Sequence, residues 1–442
     1  MNYLDTVRLI TNILLFLLGA IMAHFIVFGV VGVFFRKKYP ATDKINKYGI
    51  VIPARNEEEV VAGLIESIHK NNYPQDQLEI FVIAHNCTDN TAAIARKNGA
   101  VVYEYDNPDE CTKGYALKYL FEQIEKDCGT QNYDGFFVLD VDNILDRNYI
   151  SKMNDAFEYY GKQSVITSYR NAKNFGSNIL SGLYGMYFII GCRIESSGRT
   201  VLGCSTREMG TGFLFNSKVV KNGWNYVSLT EDWEFSADQI CYDNKIHYCD
   251  EAVLYDEQPT SLKIMWRQRV RWSRGHLLVF YARFKDLFCK LFKKETKHRM
   301  SLYDITAYIL PSPLFMMALQ LLQFILMVIS PLIDKNVTLK TVFFGDSMNF
   351  LFSNGLVFTT LRSSLLSFVM MMLMAIVVFI TDRKRIKGLS FIRKVLITVL
   401  WPVFLFIELP IDIQAFFSRN LGWKPIPHND RTSFDHVNEK EE

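Results

Sequence analysis

Twenty-seven consecutive residues near the start of the chain, Leu9 to Phe35, contain no Asp, Glu, Lys or Arg. At about 1.5 Å per residue, a helix of this length crosses the roughly 30 Å hydrocarbon core of a bilayer with some tilt. The run lacks the small-residue cleavage site of a signal peptide, and Arg36, Lys37 and Lys38 follow it directly. Because positive charges collect on the cytosolic side, the sequence predicts a membrane anchor from which the chain emerges into the cytosol.

Two more apolar segments are predicted to cross the membrane, from Ile305 to Ile333 and from about Ser363 to Ile380. Pro311 and Pro313 are expected to kink the start of the first segment. The loop between the two segments carries few charges, whereas a basic cluster at residues 382–387 follows the second. This pattern places the loop outside the cell and returns the chain to the cytosol.

The segment from Val395 to Phe417 has two interpretations. It is apolar enough to span a bilayer, but it contains Glu408 and Asp412 as well as two prolines. Carboxylates facing lipid are costly, so the favoured prediction is a broken helix along the inner membrane surface, followed by a cytosolic tail. The alternative is a true span with an external tail.

The composition indicates a soluble domain joined to a few membrane helices. Apolar residues make up 49% of the chain and charged residues 21%. The net charge of +3 and the lack of a long basic tract argue against nucleic acid as a partner. The eight cysteines form no CxxC pair or zinc-type spacing, which predicts reduced thiols in a cytosolic domain.

Between residues 49 and 145, short apolar strands alternate with helical periodicity, which predicts an α/β domain with a mostly parallel sheet. The expected strands are 49–53, 80–84, 101–103 and 135–139, and the expected helices are 57–71, 91–97 and 113–126. Ligands of such sheets bind beyond the carboxyl ends of the strands. Polar turns follow three of these strands, at residues 53–57, 85–86 and 140–142.

Three motifs along the chain carry chemistry. Asp140-Val141-Asp142 offers two carboxylates to a hard divalent cation, Thr230-Glu231-Asp232 offers a base, and Gln268-Arg269-Val270-Arg271-Trp272 offers arginines to a phosphate. A helix from about Ser261 to Phe292 carries the last motif, and it is basic and amphipathic. Neither a GxGxxG turn nor a P-loop is present, so the sequence does not support a dinucleotide oxidoreductase or a P-loop ATPase.

In this order, the motifs resemble the membrane-integrated, processive branch of glycosyltransferase family 2, which includes cellulose, hyaluronan, chitin and poly-N-acetylglucosamine synthases. The resemblance extends from about Ile50 to Trp272 and to the layout of the membrane helices. It implies a GT-A-like nucleotide-sugar transferase domain beside a small α-helical membrane region with interfacial helices. The expected divisions are 1–39 (anchor), 40–260 (transferase domain), 261–300 (interface helices), 301–394 (membrane helices) and 395–442 (interfacial or membrane helix and tail).

The resemblance also implies a role for each motif. Asp140 and Asp142 would bind Mg²⁺ or Mn²⁺, and Asp232 would be the catalytic base, with Glu231 as the second candidate. Arg271 would stabilise the departing diphosphate, and Trp272 would stack on the acceptor sugar or anchor its helix at the bilayer. The other residues implied to bind the donor are Pro53, Ala54, Arg55, Asn56, Glu57, His85, Lys113, Gln268 and Arg269. The alternative for Arg269 is that it faces water or lipid headgroups. The residues implied to lie beneath the acceptor are Gly210, Thr211 and Gly212.

Two positions depart from the family pattern. His85 stands where many relatives carry an aspartate against the uracil ring, although a neutral imidazole nitrogen can also accept an N–H. The stretch around Trp423, Lys424, Ile426 and His428 lies where such synthases place a gating loop over the donor, but it does not match the best-known form of that loop.

The resemblance implies an inverting, processive transferase of a bacterial plasma membrane. It would polymerise a β-linked polysaccharide from a nucleotide sugar at the cytosolic face and extrude it across the bilayer. UDP-glucose is the favoured donor and UDP-N-acetylglucosamine the alternative. A transferase that adds one sugar to a membrane lipid is a further alternative, and a non-catalytic membrane scaffold is disfavoured by the intact Asp140, Asp142, Asp232 and Arg271.

Overall fold

The computed structural model describes residues 3–347, 349–418, 426, 428 and 430–438. Within these residues, eight strands form one sheet in the order β3-β2-β1-β4-β7-β6-β8-β5. The strands are β1 Tyr48–Ala54, β2 Leu78–His85, β3 Val101–Tyr105, β4 Gly135–Val138, β5 Ile144–Leu145, β6 Val165–Ala172, β7 Phe213–Asn216 and β8 Ile246–Asp256. The pairs β1–β2, β2–β3, β1–β4 and β6–β8 are parallel, and the other three are antiparallel. The predicted α/β class and mostly parallel sheet are confirmed.

The helices fall into a group around the sheet and a group of long apolar helices. In chain order they are α1 Tyr3–Met22, α2 His24–Phe34, α3 Val61–His69, α4 Thr91–Lys97, α5 Lys113–Asp127, α6 Tyr149–Tyr159, α7 Ile179–Ile190, α8 Ser197–Val201, α9 Glu231–Cys241, α10 Leu262–Leu291, α11 Arg299–Ile309, α12 Ser312–Val328, α13 Ser330–Ile333, α14 Leu339–Phe344, α15 Leu356–Thr381, α16 Phe391–Phe406, α17 Glu408–Phe417 and α18 Phe434–Asn438. A π-helical turn, Gly191–Ser196, joins α7 to α8.

Helices cover both faces of the sheet, as the apolar strands require. Ile50 and Ile52 of β1 pack in a core with α3 and α6, whereas Val51 between them packs in a second core with α5 and α9. Successive side chains of a strand point to opposite faces, so a strand buried on both sides is apolar throughout. This burial explains why the first four strands were predictable within a few residues of their observed bounds.

The strands after residue 145 were not predicted. In β6, the polar residues Thr167, Ser168 and Asn171 are all buried at 2% exposure or less, and they interrupt the apolar pattern. Ser168 Oγ donates a hydrogen bond to the Gly212 carbonyl at 2.8 Å and accepts one from Tyr149 Oη at 3.0 Å. These buried polar side chains are satisfied by hydrogen bonds that exist only in the folded chain. The prediction depended on apolar residues, so it missed this strand.

Four helical segments in the described part of the chain are long and apolar enough to cross a membrane: Tyr3–Phe34, Ser312–Ile333, Leu356–Thr381 and Phe391–Phe417. The first covers the span predicted from Leu9 to Phe35 except for Phe35 itself, and the third contains the span predicted from Ser363 to Ile380. The predicted segment from Ile305 to Ile333 is wrong at its start, because α11 and α12 are separate helices. Pro311, which lacks a backbone N–H, stands at the N-cap of α12, so the chain breaks there rather than kinking within one helix.

Two buried ion clusters join the apolar helices to the sheet domain. Arg193 has no exposed surface, and its guanidinium lies 2.6 Å from Asp382, just after α15, and 3.1 Å from Asp250 of β8. The Arg199 guanidinium of α8 lies 2.6 Å from Asp304 of α11, whose other oxygen lies 2.9 Å from His24 Nε2. Buried charges require partners of this kind, so these clusters set how the domain sits against α2, α11 and α15.

Candidate active site

A cavity of about 400 Å³ opens at the carboxyl ends of β1, β2 and β4. This volume lies within the range of about 300–1,000 Å³ that is usual for small-molecule sites. The cavity begins at Pro53 and His85, passes Asp140 and Asp232, and reaches Leu314 on α12. The three predicted polar turns therefore lie at one cavity, and the same cavity extends to the apolar helices.

The turn after β1 supplies one wall of the cavity. Pro53, Ala54, Arg55 and Glu57 line it. Asn56 has a φ of 56° and turns toward the neighbouring loop, where its side-chain oxygen accepts a hydrogen bond from the Thr88 amide at 2.7 Å. Four of the five residues predicted to bind the donor in this turn thus face the cavity, and Asn56 braces the turn.

His85, at the end of β2, lies on the same wall and is 3% exposed. Its ring stacks on Tyr105 at a centroid distance of 5.4 Å, and burial lowers the pKa of His85, which keeps the imidazole neutral. Nε2 lies 3.2 Å from the Asn86 side-chain amide. A nucleobase that donates to His85 Nε2 therefore has to displace that amide.

Lys113, the first residue of α5, bridges the acidic groups of the cavity. Its Nζ lies 2.5 Å from Asp140 Oδ1 and 3.6 Å from Glu231 Oε1, and it donates to the Gly210 carbonyl. Burial acts to lower the pKa of Lys113, but the Asp140 and Glu231 carboxylates outweigh it and hold the pKa above its usual value. The lysine is therefore a permanent cation at the centre of the site.

Asp142 lies deeper than Asp140 and is 6% exposed, with Oδ2 accepting a hydrogen bond from the Glu257 amide at 2.8 Å. Burial acts to raise the pKa of Asp142, but the charges of His428 and Lys173 outweigh it and bring the pKa below its ordinary value. Asp142 is therefore ionised.

The residues present fit a hard divalent cation. No group of three or more His, Cys, Asp or Glu in the described ranges is arranged to hold a metal ion. Asp140 and Asp142 nevertheless line the same cavity and supply carboxylate oxygens two residues apart. Mg²⁺ is commonly held by one or two carboxylates together with water and substrate phosphates, so two protein ligands suffice.

The Gly210-Thr211-Gly212 turn supports the acidic loop from below. Gly210 has a φ of 91°, which strains any residue with a side chain, and its Cα hydrogen faces Asp232, since a Cβ here would lie in van der Waals contact with Oδ2 at 3.8 Å. The Thr211 hydroxyl accepts a hydrogen bond from the Asp140 amide at 2.8 Å and donates one to Asn143 at 2.6 Å. Of the three residues of this turn predicted to lie beneath the acceptor, Gly210 lines the cavity and Thr211 and Gly212 do not.

Glu231 and Asp232 are in the first turn of α9, where the positive end of the helix dipole favours carboxylates. Burial raises the pKa of Glu231 to about 7 against the effect of Lys113. Burial also raises the pKa of Asp232, although the charges of Arg207 and Lys113 oppose it. With a pKa of about 7, Glu231 can exchange a proton near neutral pH, as general acid–base catalysis requires.

The four functional residues predicted on α10, Gln268, Arg269, Arg271 and Trp272, all line the cavity. Arg271 donates to the Leu229 carbonyl at 2.7 Å, which holds the loop before α9. The Trp272 ring contacts Tyr184 and Phe188 edge-on, at centroid distances of 6.3 Å and 6.2 Å. α10 itself was predicted within one residue at each end.

Arg269 does not face water or lipid headgroups, which were the alternatives for it. It is 3% exposed, and its guanidinium lies 2.7 Å from Glu408 of α17. It also donates to the Phe404 carbonyl at 3.2 Å. A cation this deeply buried needs a carboxylate partner, which only the folded chain brings near.

The end of the chain crosses the donor side of the cavity. Ile426 and His428 line it, and His428 Nδ1 lies 2.9 Å from Glu57 Oε1. The Asp430 amide donates to Glu257 at 2.9 Å, and Phe434 of α18 is 2% exposed against the sheet domain. Trp423 and Lys424, the other residues predicted for a gating loop, lie outside the described residues.

Several charged residues of the site were missed from the sequence. Arg170 pairs with Asp256 at 2.5 Å and lies over the Phe188 ring at 3.7 Å. Glu208 is fully buried, and its burial beside Asp232 raises its pKa well above the usual range. The polar residues on the cavity wall that were missed include Arg170, Glu195, Arg207, Glu257, Gln258, His276, Glu408 and Asp412. A signal did exist for Arg207 and Glu208, which are charged neighbours just before Gly210.

The family model described as "Glycosyltransferase like family 2" matches residues 46–275. The "Probable glycosyltransferase YdaM" of Bacillus subtilis is 26% identical over 260 residues, which cover 55% of this chain and 59% of that protein. The "Poly-beta-1,6-N-acetyl-D-glucosamine synthase" of Staphylococcus epidermidis is 25% identical over 246 residues, which cover 52% and 55%. The chain thus spans somewhat more than half the length of these curated relatives.

Among solved structures, the "Mannosyltransferase PcManGT from Pyrobaculum calidifontis in complex with GDP-Man and Mn2+" superposes with a TM-score of 0.56. The match covers 93% of this chain and 99% of that one, at 10% identity. At this identity the likeness concerns the fold, which is GT-A-like. The family match covers more than half of the residues of this chain, and it shows that the chain belongs to glycosyltransferase family 2.

Proposed function

We propose that the protein is a processive, inverting glycosyltransferase that builds a β-linked polysaccharide from a UDP-sugar and passes it across the membrane. The observation that carries the proposal is the single cavity, which starts at the donor turn, passes Asp232 and Trp272, and reaches Leu314 on α12. A site for one transfer to a soluble acceptor has no need to open onto apolar helices. A growing polymer does, because it has to leave the site on the side away from the donor.

In the proposed reaction, Asp232 removes the proton of an acceptor hydroxyl as that oxygen attacks the anomeric carbon of the donor. The bond between the anomeric carbon and the diphosphate oxygen breaks, and the nucleoside diphosphate leaves with its electron pair. Asp140 and Asp142 would hold a divalent cation, which supplies charge neutralisation to the diphosphate. Lys113 and Arg271 lie close enough to Asp140 and the α9 carboxylates to serve the same leaving group.

Trp272, which lines the cavity, is proposed to offer a flat apolar face to the acceptor sugar. The tail is proposed to cover the donor. Ile426 and His428 lie on the donor side, and the anchors at Asp430 and Phe434 hold the tail against the sheet domain. Such a cover excludes water, which otherwise competes with the acceptor hydroxyl.

We also propose that the Phe391–Phe417 segment lies along the cytosolic surface of the membrane. Arg393, near its start, donates to the Gly176 carbonyl of the sheet domain, and His428, after its end, pairs with Glu57 of the same domain. These two contacts support a placement of both ends of the segment on the side of the sheet domain. Glu408 and Asp412 do not need lipid-exposed positions, since Arg269 and Ser273 of α10 bind them.

The donor sugar is proposed to be N-acetylglucosamine or glucose. The motifs alone favoured UDP-glucose, whereas the relatives with a substrate in their names are poly-β-1,6-N-acetylglucosamine synthases, which supports the alternative. The proposed test supplies the purified full-length protein, in lipid nanodiscs, with each UDP-sugar and measures product length at limiting enzyme. Long chains at early times support the proposal. A product with one added sugar that extracts into organic solvent would instead identify a glycolipid transferase.

A further inference from the structure

A π-helical turn brings a carboxylate to the cavity that the proposed reaction does not use. The turn is Gly191–Ser196, between α7 and α8, and Glu195 within it lines the cavity wall. π-Helical turns are frequent at functional sites. Glu195 is remote in sequence from the three motifs that supply the proposed chemistry. Its contacts identify the group that it acts on.

The Glu195 carboxylate binds two donors from different parts of the fold. Arg207 Nη2, from the segment before β7, donates to Glu195 Oε2 at 3.2 Å, and Tyr308 Oη of α11 donates to the same oxygen at 2.6 Å. Burial acts to raise the pKa of Glu195, but the charges of Arg207 and Arg199 outweigh it and hold the pKa below its usual value. Glu195 is therefore an anion, and it offsets the charge of Arg207.

Arg207 also lies beside the proposed base. Its guanidinium is 4.8 Å from the ring centroid of Trp233, the residue after Asp232, and both Arg207 and Asp232 line the cavity. Burial raises the pKa of Asp232, and the charge of Arg207 is the largest influence against it. Among the described residues, however, the carboxylate that forms an ion pair with Arg207 is Glu195. The guanidinium thus lies near two carboxylates and is paired with one of them.

The choice between these two carboxylates matters for proton transfer. An arginine next to an aspartate lowers the pKa of that aspartate by about 1–3 units. A general base is most effective when its pKa lies near the working pH, so a base paired with arginine is a weak one. Arg207 Nε has no hydrogen-bond partner, so the guanidinium retains a free donor for Asp232. Whatever holds Arg207 therefore controls the strength of the base.

We propose that Glu195 is a positioning residue for the base. It binds Arg207 and offsets its charge, so that Asp232 remains basic enough to remove the proton of the acceptor hydroxyl. The hydrogen bond from Tyr308 fixes the Glu195 carboxylate from the side of α11. The proposal rests on the proposed function, in which Asp232 is the base, and it adds a residue that acts on Asp232 through Arg207.

Other charged and titratable groups face Asp232 and Arg207. Those that face Asp232 are Lys113 of α5, Glu208 before β7, Glu231 of α9 and Arg271 of α10. Those that face Arg207, besides Glu195, are Tyr187 of α7, His276 of α10 and Tyr308 of α11. Substitution of Glu195 leaves all of these groups in place. A shift in the titration of the base then reports the pair of Glu195 and Arg207.

The test measures how the rate falls as the base becomes protonated, which is the acid limb of log kcat. UDP release from UDP-N-acetylglucosamine or UDP-glucose is followed for the full-length protein in lipid nanodiscs. Glu195→Gln removes the anion, so the limb should move to lower pH by about one unit, the low end of the effect of a neighbouring charge. Arg207→Gln removes the cation, so the limb should move to higher pH. Glu195→Asp keeps the charge and should stay near the wild-type limb.

The double variant Glu195→Gln/Arg207→Gln shows whether Glu195 acts through Arg207. If it does, the acid limb should coincide with that of Arg207→Gln alone, because no cation is left to offset. A further shift as large as that of Glu195→Gln alone would mean a direct effect on Asp232 and would overturn the proposal. The double variant leaves neither partner of the pair unpaired, so it serves even where a single variant does not fold. A limb at the wild-type pH in the double variant would also overturn the proposal.

Glu104 of β3 forms an exposed ion pair with Arg96, so Glu104→Gln is the matched control and should leave the limb in place. UDP affinity and the thermal unfolding temperature check that each variant is folded. Two failures are distinguishable. If Asp232→Asn keeps more than about a tenth of the wild-type turnover, the base assignment in the proposed function fails. If Asp232→Asn is inactive but Glu195→Gln leaves the limb unmoved, the positioning role alone is disproved.

Discussion

The Nζ atom of Lys113 lies 2.5 Å from Oδ1 of Asp140, one of the two carboxylates proposed to bind the metal ion. The same ammonium group lies 3.6 Å from Glu231, beside the proposed base. One cation thus joins the donor half of the cavity to the catalytic half. We infer that donor binding and the protonation of the α9 carboxylates are linked through Lys113, since any change of charge at Asp140 acts on the same ammonium group.

Asp232→Asn is expected to lower turnover by at least about 100-fold, because general bases commonly contribute 10²–10⁴-fold. Donor affinity should stay nearly unchanged, since the amide keeps the shape of the carboxyl group. Initial rates and UDP binding by calorimetry measure the two effects. Turnover above about a tenth of the wild-type value would place the base elsewhere, with Glu231 as the next candidate.

Removal of divalent cations is expected to abolish turnover, and Mg²⁺ or Mn²⁺ should restore it. Asp140→Asn and Asp142→Asn should each raise the metal concentration needed for half-maximal rate, because each removes one negatively charged ligand. Asp76→Asn, at an exposed position in the sheet domain, serves as the control. Full activity in the presence of EDTA would show that the metal assignment is wrong.

The rate should fall on the acid side of neutral pH. The base has to be unprotonated, and burial raises the pKa of Glu231 to about 7 and that of Asp232 above its usual value. The acid limb of log kcat should therefore lie at a higher pH than about 3.9, the usual pKa of an exposed aspartate. Glu231→Gln should shift this limb to lower pH, since it removes a neighbouring negative charge. An acid limb at the same pH in this variant would show that Glu231 does not influence the proton transfer.

The ion pair between Arg269 and Glu408 is expected to hold α17 against α10. Breaking a buried pair by removing one partner costs about 3–5 kcal/mol, and we expect less here because the Glu408 side chain is 34% exposed. Arg269→Leu should lower the thermal unfolding temperature in detergent, whereas Lys263→Leu, at an exposed site on the same helix, should not. A double-mutant cycle with Glu408→Leu measures the coupling, and a coupling energy near zero would contradict the pairing.

The tail is expected on the cytosolic side. A single cysteine at His436, an exposed position in α18, should be shielded from an impermeant thiol reagent in intact cells and react after permeabilisation. The eight native cysteines are replaced beforehand, so that only the new thiol reports. Labelling of intact cells would mean that Phe391–Phe417 spans the membrane, and that the tail cannot cover the donor.

The sequence by itself determined the parts of this protein that depend on local pattern. The apolar run Ile50–Ile52 predicted a strand that is buried on both faces, and the apolar run Leu9–Phe35 predicted the first membrane helix. Both predictions work because long apolar runs are buried in protein or in lipid. Asp140 was predicted to lie near the other polar turns because the carboxyl ends of parallel strands meet at one edge of a sheet, whereas Asp232 was predicted from its motif and the family resemblance.

Only the tertiary structure decided which charges are paired, because such partners are distant in the chain. Glu408 was considered a poor membrane residue from the sequence, and it is Arg269, 139 positions earlier, that neutralises it. His276 showed no pattern of its own in the sequence, and only the packing of the folded chain places it on the cavity wall. Burial, which sets the pKa of Glu231, is likewise a property of the packed molecule, since it requires the surrounding elements to exclude water.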